Sequence, residues 1–133
     1  MQVKIDTKER FHVIVLEEPI LSANIAAELT QLASVYIEEA VKNVVLKLPL
    51  TTAVEEEGAE ELVRLQQNFY ENNASFVICE LQREIEEQLD EMELLEVMNV
   101  TKTESEAWDI VQMEEIEREL MDDSDMDFNK QGE

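Results

Sequence analysis

Residues 43–65 read NVVLKLPLTTAVEEEGAEELVRL, and the hydrophobic period changes inside them. Up to Leu48 the run is short, β-branched and apolar on both sides except at Lys47. That is the pattern of a central strand covered on both faces. Pro49 cannot donate to a sheet ladder and stops it. Beyond Gly58, the residues Leu62, Leu65 and Phe69 recur at helical spacing until Asn72 and Asn73 end the run. A buried strand that leads into an amphipathic helix is the repeating unit of a parallel α/β sheet. The joint holds three consecutive glutamates and then Gly58, one of only two glycines in the chain.

The flanks repeat the unit. Val3 and Ile5 alternate inward in QVKID, FHVIVL (11–16) is a more apolar strand, and KER between them is a tight turn. After Pro19 the spacing becomes helical through Ile25, Leu29, Leu32, Tyr36, Ile37 and Ala40, with Ser22 or Asn24 as N-cap. SFVICEL (75–81) is a second buried strand, followed by a short helix with Leu81, Ile85 and Leu89 at i, i+4 and i+8. EVMNV (96–100) is a fifth strand. Thr103 or Ser105 then caps a last helix that runs to about Leu120. The order β-β-α-β-α-β-α-β-α predicts an α/β fold: a mostly parallel sheet of about five strands with an N-terminal antiparallel strand, covered by four helices.

The 133 residues suit one domain, here placed at 1–120, with 121–133 as an acidic disordered tail. No apolar run is long enough to cross a bilayer, and the first ten residues lack the apolar core of a secretory signal. A cytoplasmic protein with no membrane association is expected. Cys79 has no second cysteine to pair with and reads as a buried, inert thiol. His12, the one histidine, reads as lying on the polar side of its strand.

Net charge is −23. From residue 121 onward five acids face one base, Lys130, a net of −4, so −19 remains on the first 120 residues. That surface repels phosphate backbones, which makes nucleic acid a poor partner, and favours a protein partner with a basic face. No glycine-rich phosphate loop exists and no Cys/His cluster offers metal ligands. DDSDMD imitates the start of a calcium loop at Asp123, Asp125 and Asp127 but has Phe128 where the turn glycine belongs. No cofactor is expected. Carboxylates are too numerous for any one pair to mark acid–base machinery, and no nucleophile, base and oxyanion donor assemble, so an enzyme is not expected.

On residues 43–65 the chain resembles STAS domains, the sulfate transporter and anti-sigma factor antagonist family. Their pattern here is an apolar strand, a short loop, then Asp-Ser-Ser/Thr-Gly opening a helix. ASFVICEL and VTKTESEAWDIV continue the resemblance in order and spacing. It implies a stand-alone, non-enzymatic regulatory module of the anti-sigma factor antagonist type in bacterial transcription control. The implied partner is a switch kinase that is also an anti-sigma factor, or another STAS protein. In that family the residue before the glycine is often a serine or threonine that the partner kinase phosphorylates, breaking the complex. Carried over, the acidic position is Glu55, the next Glu56, and the phospho-acceptor Glu57. With Gly58, Thr51 and Thr52 these form the implied partner-binding surface, where glycine would let a partner approach the backbone.

Glutamate accepts no phosphoryl group. It carries one charge where phosphoserine carries about 1.5 to 2. Two readings stand: Glu57 freezes a phospho-like state, or Glu55 to Glu57 only complement the dipole of the helix they open. Lys47 is a second departure, since the family often has an acid there. The alternative function is a constitutive structural interaction subunit with no sigma-factor link. In the last helix, Ala107, Ile110 and Val111 share one face while Met113, Ile116 and Leu120 line another. One straight helix cannot bury both stripes. The helix either bends or frays after Met113, or the second stripe docks a partner or a second copy in a homodimer.

Overall fold

The computed structural model describes residues 1–131, with side chains to Met121. Three neighbouring strands set the layers: β2 (Phe11–Leu16), β4 (Asn43–Lys47) and β6 (Phe76–Cys79). Val13, Val45 and Val77 lie side by side on one face, and Ile14, Leu46 and Ile78 on the other. All six are buried, which is why these segments are apolar throughout rather than alternating. β1 (Val3–Thr7) closes one edge, antiparallel to β2, and β7 (Val100–Thr101) the other, parallel to β6. The sheet order is β1-β2-β4-β6-β7. The expected five-stranded, mostly parallel sheet is present.

The face of Ile14, Leu46 and Ile78 carries the larger core. There Ala26 and Leu29 of α1 (Ala23–Ser34), Leu62, Leu65 and Phe69 of α2 (Glu56–Glu71), and Ile85 and Leu89 of α3 (Arg83–Glu91) bury their apolar stripes. The opposite face is covered by α4 (Glu104–Gln131), which contributes Ala107 and Val111. Cys79 is fully buried on this side, and burial, reinforced by the neighbouring Glu80 carboxylate, pushes its thiol up to about 12. Little of it is thiolate at neutral pH. No helix of the described residues is long and apolar enough to cross a membrane.

Several expectations need correction. Ile5 is 41% exposed, because β1 is an edge strand and only Val3 reaches the larger core. The first helix gives way after Ser34 to a 3₁₀ turn at Val35–Glu38 instead of running to Ala40. A 3₁₀ turn at Leu95–Val97 occupies the first two residues of the expected strand 96–100, and pairing begins only at Val100. Two short strands were not anticipated: β3 (Ile20–Leu21) and β5 (Ala53–Val54) pair in parallel beside the main sheet. His12 is buried, its Nε2–H donating to the Val41 carbonyl at 2.8 Å and its ring stacked on Tyr36. The last helix does not stop near Leu120. Its backbone continues through residues 121–131, expected as an irregular tail, where no proline or glycine interrupts it. Residues 132 and 133, and the side chains of DDSDMD, lie outside the described ones.

Lys47 ends the central strand beneath the start of α4. Its Nζ lies 2.7 Å from Glu104 and 3.0 Å from Glu80. Burial alone would lower its pKa, but the hydrogen bonds and charges of Glu104 and Glu80 outweigh that and hold it above the ordinary value of 10.5. A base whose folded pKa is raised contributes stability that is complete below its unfolded value and lost as pH climbs through the folded one. Lys47→Met should therefore be less stable at neutral pH by about 1 to 3 kcal/mol, discounted for the partly exposed carboxylates. The gap to the parent should close as pH rises above 10.5. Urea unfolding across pH 8 to 12 (roughly, spanning the ordinary lysine value) measures it, and a constant gap would count against this role.

Candidate functional site

Two helix N-termini meet at one end of the sheet, those of α1 and α2. Each leaves backbone N–H groups without helical partners. Ser22 caps α1 by accepting from the Ile25 N–H at 3.2 Å. Glu55 is the N-cap residue of α2 yet makes no side-chain bond to its own helix. Its carboxylate instead accepts from the N–H of Ala23, the first residue of α1, at 3.1 Å. Its own N–H donates to the Leu21 carbonyl at 2.9 Å. Glu55 thus ties the two helix starts together. Glu56 and Glu57 follow in the first turn of α2 and are exposed, where each complements the dipole by about 0.3 to 1 kcal/mol.

Gly58 comes next, buried and without a positive φ. A Cβ there would stand 2.7 Å from the Leu21 carbonyl oxygen and 3.0 Å from that of Ser22. The backbone that needs this space is the chain's own. The expected reason for the glycine, close approach by a partner, is replaced by close approach of the β3–α1 junction. Ala59, fully buried, continues the contact surface.

The loop ahead of this corner is clamped. Thr51 is fully buried and its hydroxyl donates to the Glu18 carbonyl at 2.7 Å, so it cannot belong to a partner-facing surface. The Thr52 N–H donates to the Pro19 carbonyl at 2.9 Å, while its side chain is exposed. From α3, Gln88 accepts from the Val54 N–H at 2.9 Å and donates to the Thr52 carbonyl at 3.1 Å, and Gln82 donates to the carbonyl of Pro49. Thr52, Glu55, Glu56 and Glu57 are therefore exposed on a braced surface with two apolar residues that sequence reasoning missed. Ile20 is 49% exposed and Leu50 55%. Each directly follows a proline at a strand boundary, outside any core periodicity, and that was the available signal.

Met113, Ile116 and Leu120 are not part of this corner. They are exposed on α4, which runs antiparallel to β4: Glu104 meets Lys47 at the strand's end, while Glu115 accepts from Asn43 at its start. The stripe lies toward the opposite end of the sheet.

The STAS domain profile matches residues 2–107. Among solved structures, the chain is similar in fold to the Thermotoga maritima protein TM1081, at 12% identity and a TM-score of 0.72 over 84% of this chain and 90% of that one. An anti-sigma factor antagonist from Mycobacterium paratuberculosis gives 12% and 0.69, covering 84% and 93%. A serine-to-glutamate variant of Moorella thermoacetica RsbS gives 19% and 0.67, covering 84% and 96%. At these identities the likeness concerns the fold. No curated protein sequence matches the chain significantly.

Two opposing effects decide the outcome of Gly58→Ala. Alanine is the better helix former by about 1 kcal/mol. Its Cβ, however, would meet backbone carbonyls that no side-chain rotation can move, and overpacking costs about 1 to 3 kcal/mol. The clash should win, lowering the urea midpoint, whereas Glu56→Gln should stay within about 1 kcal/mol of the parent. A stabilised Gly58→Ala protein would show that the corner is looser than described.

Proposed function

The chain belongs to the STAS domain family, and from that membership we propose a non-enzymatic binding protein of the anti-sigma factor antagonist type, with its phospho-acceptor place taken by Glu57. The observation that carries this reading is the position of Glu57: exposed on the first turn of α2, directly before the pinned Gly58. Around it, Ile20 and Leu50 offer an apolar centre and Thr52, Glu55 and Glu56 a polar, charged rim, the composition of a modest protein interface. Charge supports the same reading. A net −23 steers a partner with a basic face toward the molecule, such as a switch kinase acting as anti-sigma factor, or another STAS protein.

A glutamate carries its charge permanently and takes no phosphoryl group, so a kinase cannot switch binding at this position. The same fact favours the second reading, a constitutive interaction subunit with no sigma-factor link. The two differ in partner, and co-purification from the source cell separates them.

The mode of binding is tested with that co-purified partner, measured by calorimetry against the natural protein and Glu57→Ser. The natural protein should take up no phosphate at residues 55–58 with a cognate kinase and ATP. Glu57→Ser should keep its thermal midpoint and change affinity roughly fivefold or more. Tighter binding would mean that Glu57 imitates a released, phosphorylated state. Weaker binding would mean that it is a contact in its own right. Unchanged affinity would remove this loop from the interface.

A further inference from the structure

We propose that the outer face of α4 is a second docking surface, and that its occupant is a basic amphipathic helix of a partner protein. The face consists of Met113, Ile116, Leu120 and Met121, exposed by 57%, 55%, 58% and 61%. Met113, Ile116 and Leu120, at i, i+3 and i+7, make a ridge down one side of the helix, and Met121 flanks its far end. Together they expose on the order of a few hundred Å² of apolar surface, the range in which a patch on a monomer tends to be functional.

The ridge is not a core stripe that has rolled outward, because the opposite side of the same turns is fastened to the sheet. Glu114 accepts from the hydroxyl of Ser75 and, at 3.0 Å, from the side-chain amide of Asn99. Glu115 accepts from Asn43 at 2.9 Å and from Arg10 at 2.8 Å. Ser75 and Asn43 are themselves buried. These bonds set the rotation of α4 about its axis, so the apolar ridge points away from the domain by construction. The helix continues without a break past Met113.

Charge selects the occupant. Asp109, Glu117 and Glu119 are exposed along the same turns as the ridge. A two-fold pairing of two copies would set this patch against itself and bring like carboxylates into contact range, where salt screens them least. Each copy would also bring its net −23. A helix with apolar residues at matching spacing and Lys or Arg beside them would cover the ridge and neutralise its edges. This surface lies away from the α2 corner, so its test stands apart from the reading of Glu57.

The probe is a fluorescein-labelled synthetic helix with leucines at heptad a and d positions and lysines flanking them, followed by anisotropy at about 0.15 M salt. A scrambled peptide of the same composition is the control. The natural protein should bind the helix at least about tenfold more tightly than the scrambled peptide, and Ile116→Glu should weaken binding by a similar factor. Glu117→Lys should weaken it roughly threefold or more. Ile20→Glu, at the other end of the sheet, should bind as the parent does. Circular dichroism should give Ile116→Glu an unchanged thermal midpoint. Equal binding of the two peptides, or equal binding by Ile116→Glu, overturns the proposal. So does a dimer in sedimentation that Ile116→Glu splits, since a second copy would then be the occupant.

Discussion

The contact between Gly58 and the carbonyls of Leu21 and Ser22 is the constraint on which the end of the molecule that carries Glu55 to Glu57 depends. A side chain at residue 58 would hold the start of α2 away from the β3–α1 junction. With hydrogen in that place, the Glu55 amide reaches Leu21 and its carboxylate reaches the first amide of α1. The short β3–β5 pair lies beside this contact, and Gln88 of α3 bridges to Val54 and Thr52. Three helices are thus braced against one loop. Glu56 and Glu57 project from a prepared surface, so a partner would not have to order the loop on binding.

Ten lysines and arginines face thirty-three acids, and two of the cations, Lys47 and Arg10, join separate elements through α4. Lys47 draws Glu80 and Glu104 together across the C-terminal end of β4, holding the first turn of α4 to the sheet. Arg10 and Asn43 share Glu115 at the other end, and Ser75 and Asn99 share Glu114. The helix is fastened by polar contacts at Glu104 and at Glu114 and Glu115, and by Ala107 and Val111 between them. Most of the remaining carboxylates face solvent. The molecule therefore presents acid over much of its surface, with exposed apolar residues that include Ile20 and Leu50 near the α2 corner and the ridge of α4.

How much of this was legible followed from the range of the forces involved. The largely apolar runs of β2, β4 and β6, and the helical spacing of Leu62, Leu65 and Phe69, are local patterns tied to burial, and the architecture could be read from them. So could the caps Ser22 and Thr103, whose hydroxyls accept from amides three residues on. What escaped was non-local. Nothing near residue 58 announces that Leu21 lies against it, or that the Thr51 hydroxyl is spoken for by Glu18. His12 looked polar-facing because its partners, Val41 and Tyr36, arrive from another element. The strand expected at 96–100 failed because an edge needs only the two paired residues it has. The place of Glu57 at the start of α2 was legible, because strand, loop and helix follow one another locally.

Native-state amide hydrogen exchange tests the bracing most directly. The amides of Thr52, Val54 and Glu55 donate to Pro19 just before β3, to Gln88 of α3 and to Leu21 of β3. If the corner is one rigid unit, they should exchange only through openings within about 1 to 2 kcal/mol of those that expose Val45 and Leu46 in the central strand. Exchange of these three amides at nearly the open-chain rate, with the central strand still protected, would contradict the account and make the loop a mobile one.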